Sequence, residues 1–400
     1  MIHGDDVSSE AVSGWRAKAA LLASGLFISI GLFGIGVVLP QIGKEFATTP
    51  NAELFVQLLG AVASFAFAIG SPIAGAIIGR IGCRNVLIPS LILFVIAGLL
   101  PMALHDLWSL LVTRFFIGLS IGSIFTAGLT GISTFPEQQR AKMFGWYSVV
   151  GGAAAILLFP LVAQLASYGW RLSFLVNVVG LLVLPLALLL PRRIGIATTT
   201  HAHARPGVPL LNGAMLRLLG IGALTGMGMF LGPMYSPLYL ASEGVTDPRL
   251  LAIPITLGSV AAVFASSLYG FAHRRLGLDG VTALTMLTWG GGLLIAGLAG
   301  GMLPLFTLGV VLSSGTIGMI APHVSASAIH RSDPANTARA LGLANGVMFG
   351  AQLLFPFIAG WIRGQTSLSG VFIAFALAGI TIGIATIVTT MASRKAAPQT

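Results

Sequence analysis

The chain alternates long apolar runs with short polar gaps, and nearly all the runs are long enough to cross a bilayer. A helix rises 1.5 Å per residue, so about 20 apolar residues span the hydrocarbon. Twelve such runs stand at 19–39, 54–78, 86–104, 107–131, 144–165, 172–190, 218–240, 250–272, 281–300, 304–327, 341–361 and 369–391. Strands of a membrane barrel would be about half that length and would alternate apolar with polar positions. The pattern therefore predicts an all-α membrane protein with twelve transmembrane helices. The longest polar gap, 191–217, carries "TTTHAHARPGV" and divides the spans six and six. The expected organisation is a cytoplasmic N-terminus (1–18), a six-helix half (19–190), a cytoplasmic linker (191–217), a second six-helix half (218–391) and a cytoplasmic tail (392–400). His201 and His203 in the linker are read as solvated residues, because two imidazoles without further ligands make no metal site.

Composition supports this reading. Of 400 residues, 56% are hydrophobic and 8% charged, and mean hydropathy is +0.95, where soluble domains are about one quarter charged. The net charge of +10 does not imply nucleic acid, because the basic residues are scattered through the gaps. With the N-terminus inside, sixteen Lys and Arg fall in inner segments and four in outer ones: Lys44, Arg171, Arg249 and Arg363. Basic residues favour the cytoplasmic side. Both termini are thus expected in the cytoplasm of a bacterial cell, with the chain in its inner membrane. The polar start, Met1 to Lys18, has no small-residue cleavage site, so the first span is expected to be retained. One cysteine, Cys83, excludes an intrachain disulfide. No Walker loop, metal cluster or Ser-His-Asp set appears, so neither a cofactor nor an enzymatic activity is expected.

A basic hinge recurs at corresponding places in the two halves. "GAIIGRIGCR" (Gly75 to Arg84) lies between spans two and three, and "GFAHRRLG" (Gly270 to Gly277) between spans eight and nine. Gly75 and Gly79 share a helix face and would admit a neighbouring helix. Gly82 and Gly277 permit the turn. Arg80, Arg84 and Arg275 would anchor the inner ends. Arg140 and Arg339 also correspond, each preceding the odd-numbered span after an inner loop.

The hinge, "RFFIGLSIG" (Arg114, Gly118, Gly122) and "GWR" (Gly169–Arg171) together resemble the major facilitator superfamily over essentially the whole chain. The resemblance implies two pseudo-symmetric six-helix halves and a substrate site at mid-membrane. It also implies a drug-antiporter-like carrier working by alternating access and acting as a monomer among membrane lipids. Its partners would be a small organic molecule and, for proton-coupled efflux of lipophilic compounds, a proton or another ion. A facilitator or organic-anion exchanger is the alternative. The family's hinge carries an acid where this chain has Gly79 and, in the second copy, Arg274. A latch would then need Glu137 or Asp333. The fifth-span glycine pattern of antiporters is eroded, with Gly145, Gly151, Gly152 and Pro160 remaining.

All eleven acids fall outside the middle of the spans. Arg114 is the one charge placed well inside. Unpaired, it would cost several kcal/mol, so it faces a wet cavity as part of the substrate path or binds carbonyls as a structural residue. His323 is the only histidine within a span. Gln57, Gln164, Asn177, Asn345 and Gln352 are the uncharged polar candidates for the path. Tyr235 joins them from span seven, whose Met227, Met229, Met234 and prolines suit an adaptable, bending wall.

Overall fold

A computed structural model describes residues 15–191, 194, 212–331 and 337–396. Among them there is no strand, and eleven helices are long and apolar enough to cross a membrane. One of these, Pro248–Gly297, is broken at Gly277 (φ 69°, ψ −176°) and holds two crossings, giving twelve. We number them α1 (Trp15–Glu45), α2 (Ala52–Ile81), α3 (Cys83–Met102), α4 (Leu107–Ser133), α5 (Glu137–Ala166) and α6 (Trp170–Leu188). The remainder are α7 (Gly213–Ser242), α8 and α9 (before and after Gly277), α10 (Leu303–His330), α11 (Thr337–Gly350, continuing to Gln365) and α12 (Leu368–Ala396). The chain divides into two compact units, Met1–His201 and Ala202–Thr400.

Several helices run past the apolar runs that predict them. The expected loop at 273–280 is a single-residue break. At the matching place in the first unit, Gly82 alone separates α2 from α3, with φ 85° and ψ 162°. Both conformations lie in a region open essentially to glycine alone. The two hinges are thus the same backbone device. At the first, the Cys83 amide donates to the Ile194 carbonyl (2.7 Å), so the chain leaving α6 caps the start of α3.

Helix contacts repeat as well. In the first unit α2 packs along α4, where Gly118 sits on the Ala63 carbonyl and Gly122 on that of Phe67. In the second unit Gly318 of α10 sits on the Ala262 carbonyl of α8. A side chain at these glycines would enter the neighbouring backbone, which is how small residues bring membrane helices close. Gly75 and Gly270 of the hinges do not serve this purpose. Gly75 is at ordinary distance from Thr126, and a Cβ on Gly270 would meet nothing.

Both units begin with an irregular span. α1 contains a π-turn, Ser29–Phe33, followed by a 3-10 turn, Gly34–Val38. α7 contains a π-turn at Leu231–Tyr235. Such turns leave backbone carbonyls out of the regular ladder and often mark functional positions. At the far end of the first unit, Glu45 closes α1 onto α6. It accepts from Arg171 through both oxygens (2.9 and 2.7 Å) and from Trp170 Nε1 (2.5 Å). The Arg171 guanidinium also lies over the Trp170 ring (4.2 Å). This clasp is the structural content of the "GWR" motif.

Candidate functional site

Arg114 lies on the inner face of α4 and is 3% exposed. Its Nε donates to the Leu59 carbonyl of α2 (2.9 Å), and one terminal nitrogen donates to the Gly31 (2.6 Å) and Leu32 (3.3 Å) carbonyls of the α1 π-turn. The space around it, lined by Ile35, Ile42, Leu59, Pro101, Leu110 and Phe174 among others, has no room for a water molecule. The expected wet cavity is therefore absent here. A guanidinium needs acceptors, and the irregular backbone of α1 supplies them, so Arg114 is a carbonyl-bound clamp across three helices. The second unit repeats the crossing without the charge. Ser314 of α10 stands against Gly232 in the α7 π-turn and against Gly258 of α8.

The other first-unit candidates divide. Gln57 is 7% exposed; its Nε2 reaches Glu53 at 3.5 Å, and its buried Oε1 has no partner. Asn177 is pinned between two helices. Its amide donates to Gly98 O of α3 (3.1 Å) and Phe174 O of its own turn (2.9 Å), and Gly98 is the residue that leaves room for it. Gln164 is exposed and donates to the Tyr168 hydroxyl one turn on (3.3 Å), so it is not buried among the other candidates.

In the second unit, polar atoms without partners gather beside the α7 π-turn. The Tyr235 hydroxyl, the Gln352 Oε1 and the Trp289 Nε1 are all enclosed, and none makes a hydrogen bond. The Gln352 amide reaches only the Met229 sulfur (3.9 Å). Tyr235 packs edge-on against Phe355 (4.8 Å), which stacks on Phe230 (5.8 Å) and leads through Phe375 to Trp289. The result is an apolar, aromatic wall carrying one hydroxyl, one amide carbonyl and one indole N–H. Leaving a buried polar group unpaired costs about 1–3 kcal/mol, so three together require a reason. Asn345 lies on α11, but its side chain is outside the described residues.

His323 belongs to a separate cluster. The Thr282 hydroxyl lies 3.1 Å from the Leu278 carbonyl and 2.8 Å from the His323 Nε2, and which of the hydroxyl and the ring nitrogen donates in the second bond depends on the histidine tautomer. The His323 Nδ1 is buried and unpaired. Tyr269 packs against His323 (6.2 Å) and stacks on His273 (5.8 Å). Tyr269 and Trp289 escape sequence reading because each lies in an apolar stretch with no charge to set it apart, and His273 because it stands beside Arg274 and Arg275 of the hinge.

Of the hinge residues, Arg275 covers the Phe271 ring (5.2 Å). Gly82 and Gly277 make the turns, and Arg80 and Arg84 flank the first of them. The Arg140 side chain lies outside the described residues, as do Glu137's side chain and Asp333, the expected latch acids. In the second unit Asp279 pairs with Arg331 instead (3.4 Å).

The comparisons with known proteins follow this geometry. The profile of the Major Facilitator Superfamily matches residues 21–279. A gentisate transporter of Corynebacterium glutamicum is 28% identical over 187 residues, which cover 44% of this chain and 41% of that protein. The inner membrane transport protein YnfM of Escherichia coli is 26% identical over 163 residues, covering 40% and 38%. The matches thus span about two fifths of the length of those relatives. Among solved structures, a D-xylose-proton symporter superposes with a TM-score of 0.79 at 15% identity, over 93% of this chain and 97% of that one. The nucleoside transporter NupG gives 0.73 at 14%, over 92% and 99%. The match to the family profile, with the shared twelve-helix architecture, shows that this multi-pass membrane protein belongs to the Major Facilitator Superfamily.

Proposed function

We propose that the protein carries a small organic molecule across the bacterial inner membrane by alternating access, with both termini in the cytoplasm. The observation that carries this reading is the trio of unpartnered polar atoms on Tyr235, Gln352 and Trp289. They are held in an aromatic and methionine wall next to a π-turn. Such an arrangement suits a ligand with an apolar face and a few hydrogen-bonding groups, since a bound molecule would satisfy atoms that the protein leaves open. Gln57 is the corresponding open group in the first unit. Relatives named for the transport of gentisate, proline or betaine and myo-inositol support a reading as a carrier of a small organic solute.

The methionine and aromatic lining favours efflux of a lipophilic compound over uptake of a fully hydrated one. Coupling to a proton would use the open Nδ1 of His323, because every described Asp and Glu stands at a helix end or beyond. The alternative, organic-anion exchange with Arg114 as counter-charge, loses support. The guanidinium donors of Arg114 turn to three backbone carbonyls and not to open space. Arg80, Arg84, Arg140 and Arg275 act at the hinges in gating and not in substrate contact.

The test is transport in proteoliposomes holding the full chain, offered gentisate, proline, betaine, myo-inositol and a lipophilic cation, with and without a pH gradient. At least one solute should move faster than in empty vesicles. Gln352→Ala should raise KM for that solute while kcat changes less. Movement of no solute, or an unchanged KM in the variant, would overturn the assignment of this wall.

A further inference from the structure

The second unit holds a cavity of about 910 Å³ that is separate from the aromatic wall. It lies at the end of the unit where Gly277 breaks the helix, the cytoplasmic end in the topology proposed above. Its lining mixes apolar with polar, chiefly basic, side chains: His273 from α8, Leu278 and Asp279 from α9, and Ala326, His330 and Arg331 from the end of α10. The volume falls within the roughly 300–1,000 Å³ typical of small-molecule sites.

Two features show that the protein does not satisfy this cavity by itself. The His273 Nδ1 is enclosed and has no hydrogen-bond partner. Arg331 offers five N–H donors, yet its ion pair with Asp279 is a single contact at 3.4 Å. That is long for a charge-assisted bond, which runs at about 2.7–2.9 Å when well made. The Arg331 side chain is 19% exposed and that of Asp279 48%, so the cation is held within the wall while the acid reaches it from a more open position. A planar guanidinium matches the geometry of phosphate and carboxylate oxygens, and two imidazoles line the same cavity.

We propose that this cavity binds a small multivalent anion, a phosphate ester or a polycarboxylate. Arg331 is the principal contact and His273 and His330 are flanking donors. Asp279 is the built-in competitor that the anion displaces. The site needs no transported solute and stands independently of the transport reading. An anion seated there would replace the α9–α10 ion pair and so alter how the hinge-side ends of these helices are held.

The experiment is calorimetric titration of the purified full chain in detergent with inorganic phosphate and with citrate, at constant ionic strength made up with chloride. Saturable binding of one of them is expected; phosphate alone marks a phosphate-ester site and citrate alone a polycarboxylate site. Arg331→Gln should weaken it by roughly tenfold or more, the loss expected for one charge-assisted pair. Asp279→Asn should tighten it several-fold, an outcome that a merely structural ion pair would not give. His330 is exposed, so His330→Gln tests the site without endangering the fold and should weaken binding several-fold. The proposal fails if neither anion gives more heat than chloride, if Asp279→Asn weakens binding, or if His330→Gln and Arg331→Gln bind as the parent does.

Discussion

The side chains that differ most from their sequence reading do so because of what the backbone offers them. Arg114 stands out in the sequence as a charge the membrane must bury, and that much was legible. What neutralises it was not, because carbonyls freed by a π-turn leave no mark in the pattern of apolar positions. Arg114→Lys, with one nitrogen in place of a fork, keeps the charge but cannot reach the carbonyls of both α1 and α2. It should lower the thermal midpoint of the purified protein, and Arg114→Gln should lower it further. An unchanged midpoint in both variants would remove the clamp role. Tyr235 should behave in the opposite way. Its hydroxyl is buried and unpaired, and deleting such a group is neutral or stabilising for the fold. Tyr235→Phe should therefore melt no lower than the parent while binding its solute more weakly. Lower stability with unchanged affinity would mean that the hydroxyl serves the fold and not the ligand.

At the scale of elements, the twelve spans were legible almost to their ends, since length and hydropathy alone decide what can cross a bilayer. The hinges were legible as repeats, and their glycines prove to be required at one position each, Gly82 and Gly277. Substituting Ala at either should cost about 1–3 kcal/mol, because the conformation is open essentially to glycine. Gly75→Ala and Gly270→Ala, which meet only ordinary contact or open space, should cost far less. Thermal scans of the four variants check this, and equal losses in all four would contradict it. Close packing was misassigned to the hinges. Positions in backbone contact include Gly118 and Gly318, whose partners Ala63 and Ala262 cannot be paired with them from one sequence. Gly118→Leu and Gly318→Leu should each fail to yield folded protein, as judged by size-exclusion profile. Either variant eluting as the parent would contradict the packing.

For the molecule as a whole, the bias of sixteen basic residues against four predicts an orientation that a reporter can read. An alkaline phosphatase fused to Thr400, active only outside the cytoplasm, should give no signal. A strong signal would invert the topology. The two-part plan was legible because hinges, spans and Arg positions repeat along the chain. The chemistry of the solute was less so. The wall proposed to meet it is built by Tyr235, Trp289, Gln352 and Met229, residues brought together from three helices that are distant in sequence.

The clamp on Arg114 also bears on how the chain is made. A helix carrying an arginine within its span enters a bilayer at a penalty when it enters alone, about 2.5–3.5 kcal/mol at the helix centre and less towards an end, where Arg114 stands in α4. The three carbonyls that accept from Arg114 belong to Gly31, Leu32 and Leu59, all in spans synthesised before α4. By the time α4 emerges from the ribosome, its acceptors are already in the membrane. Insertion of the fourth span is thus assisted by the first two, and a nascent chain lacking them should release α4 to the aqueous side more often than the intact one does.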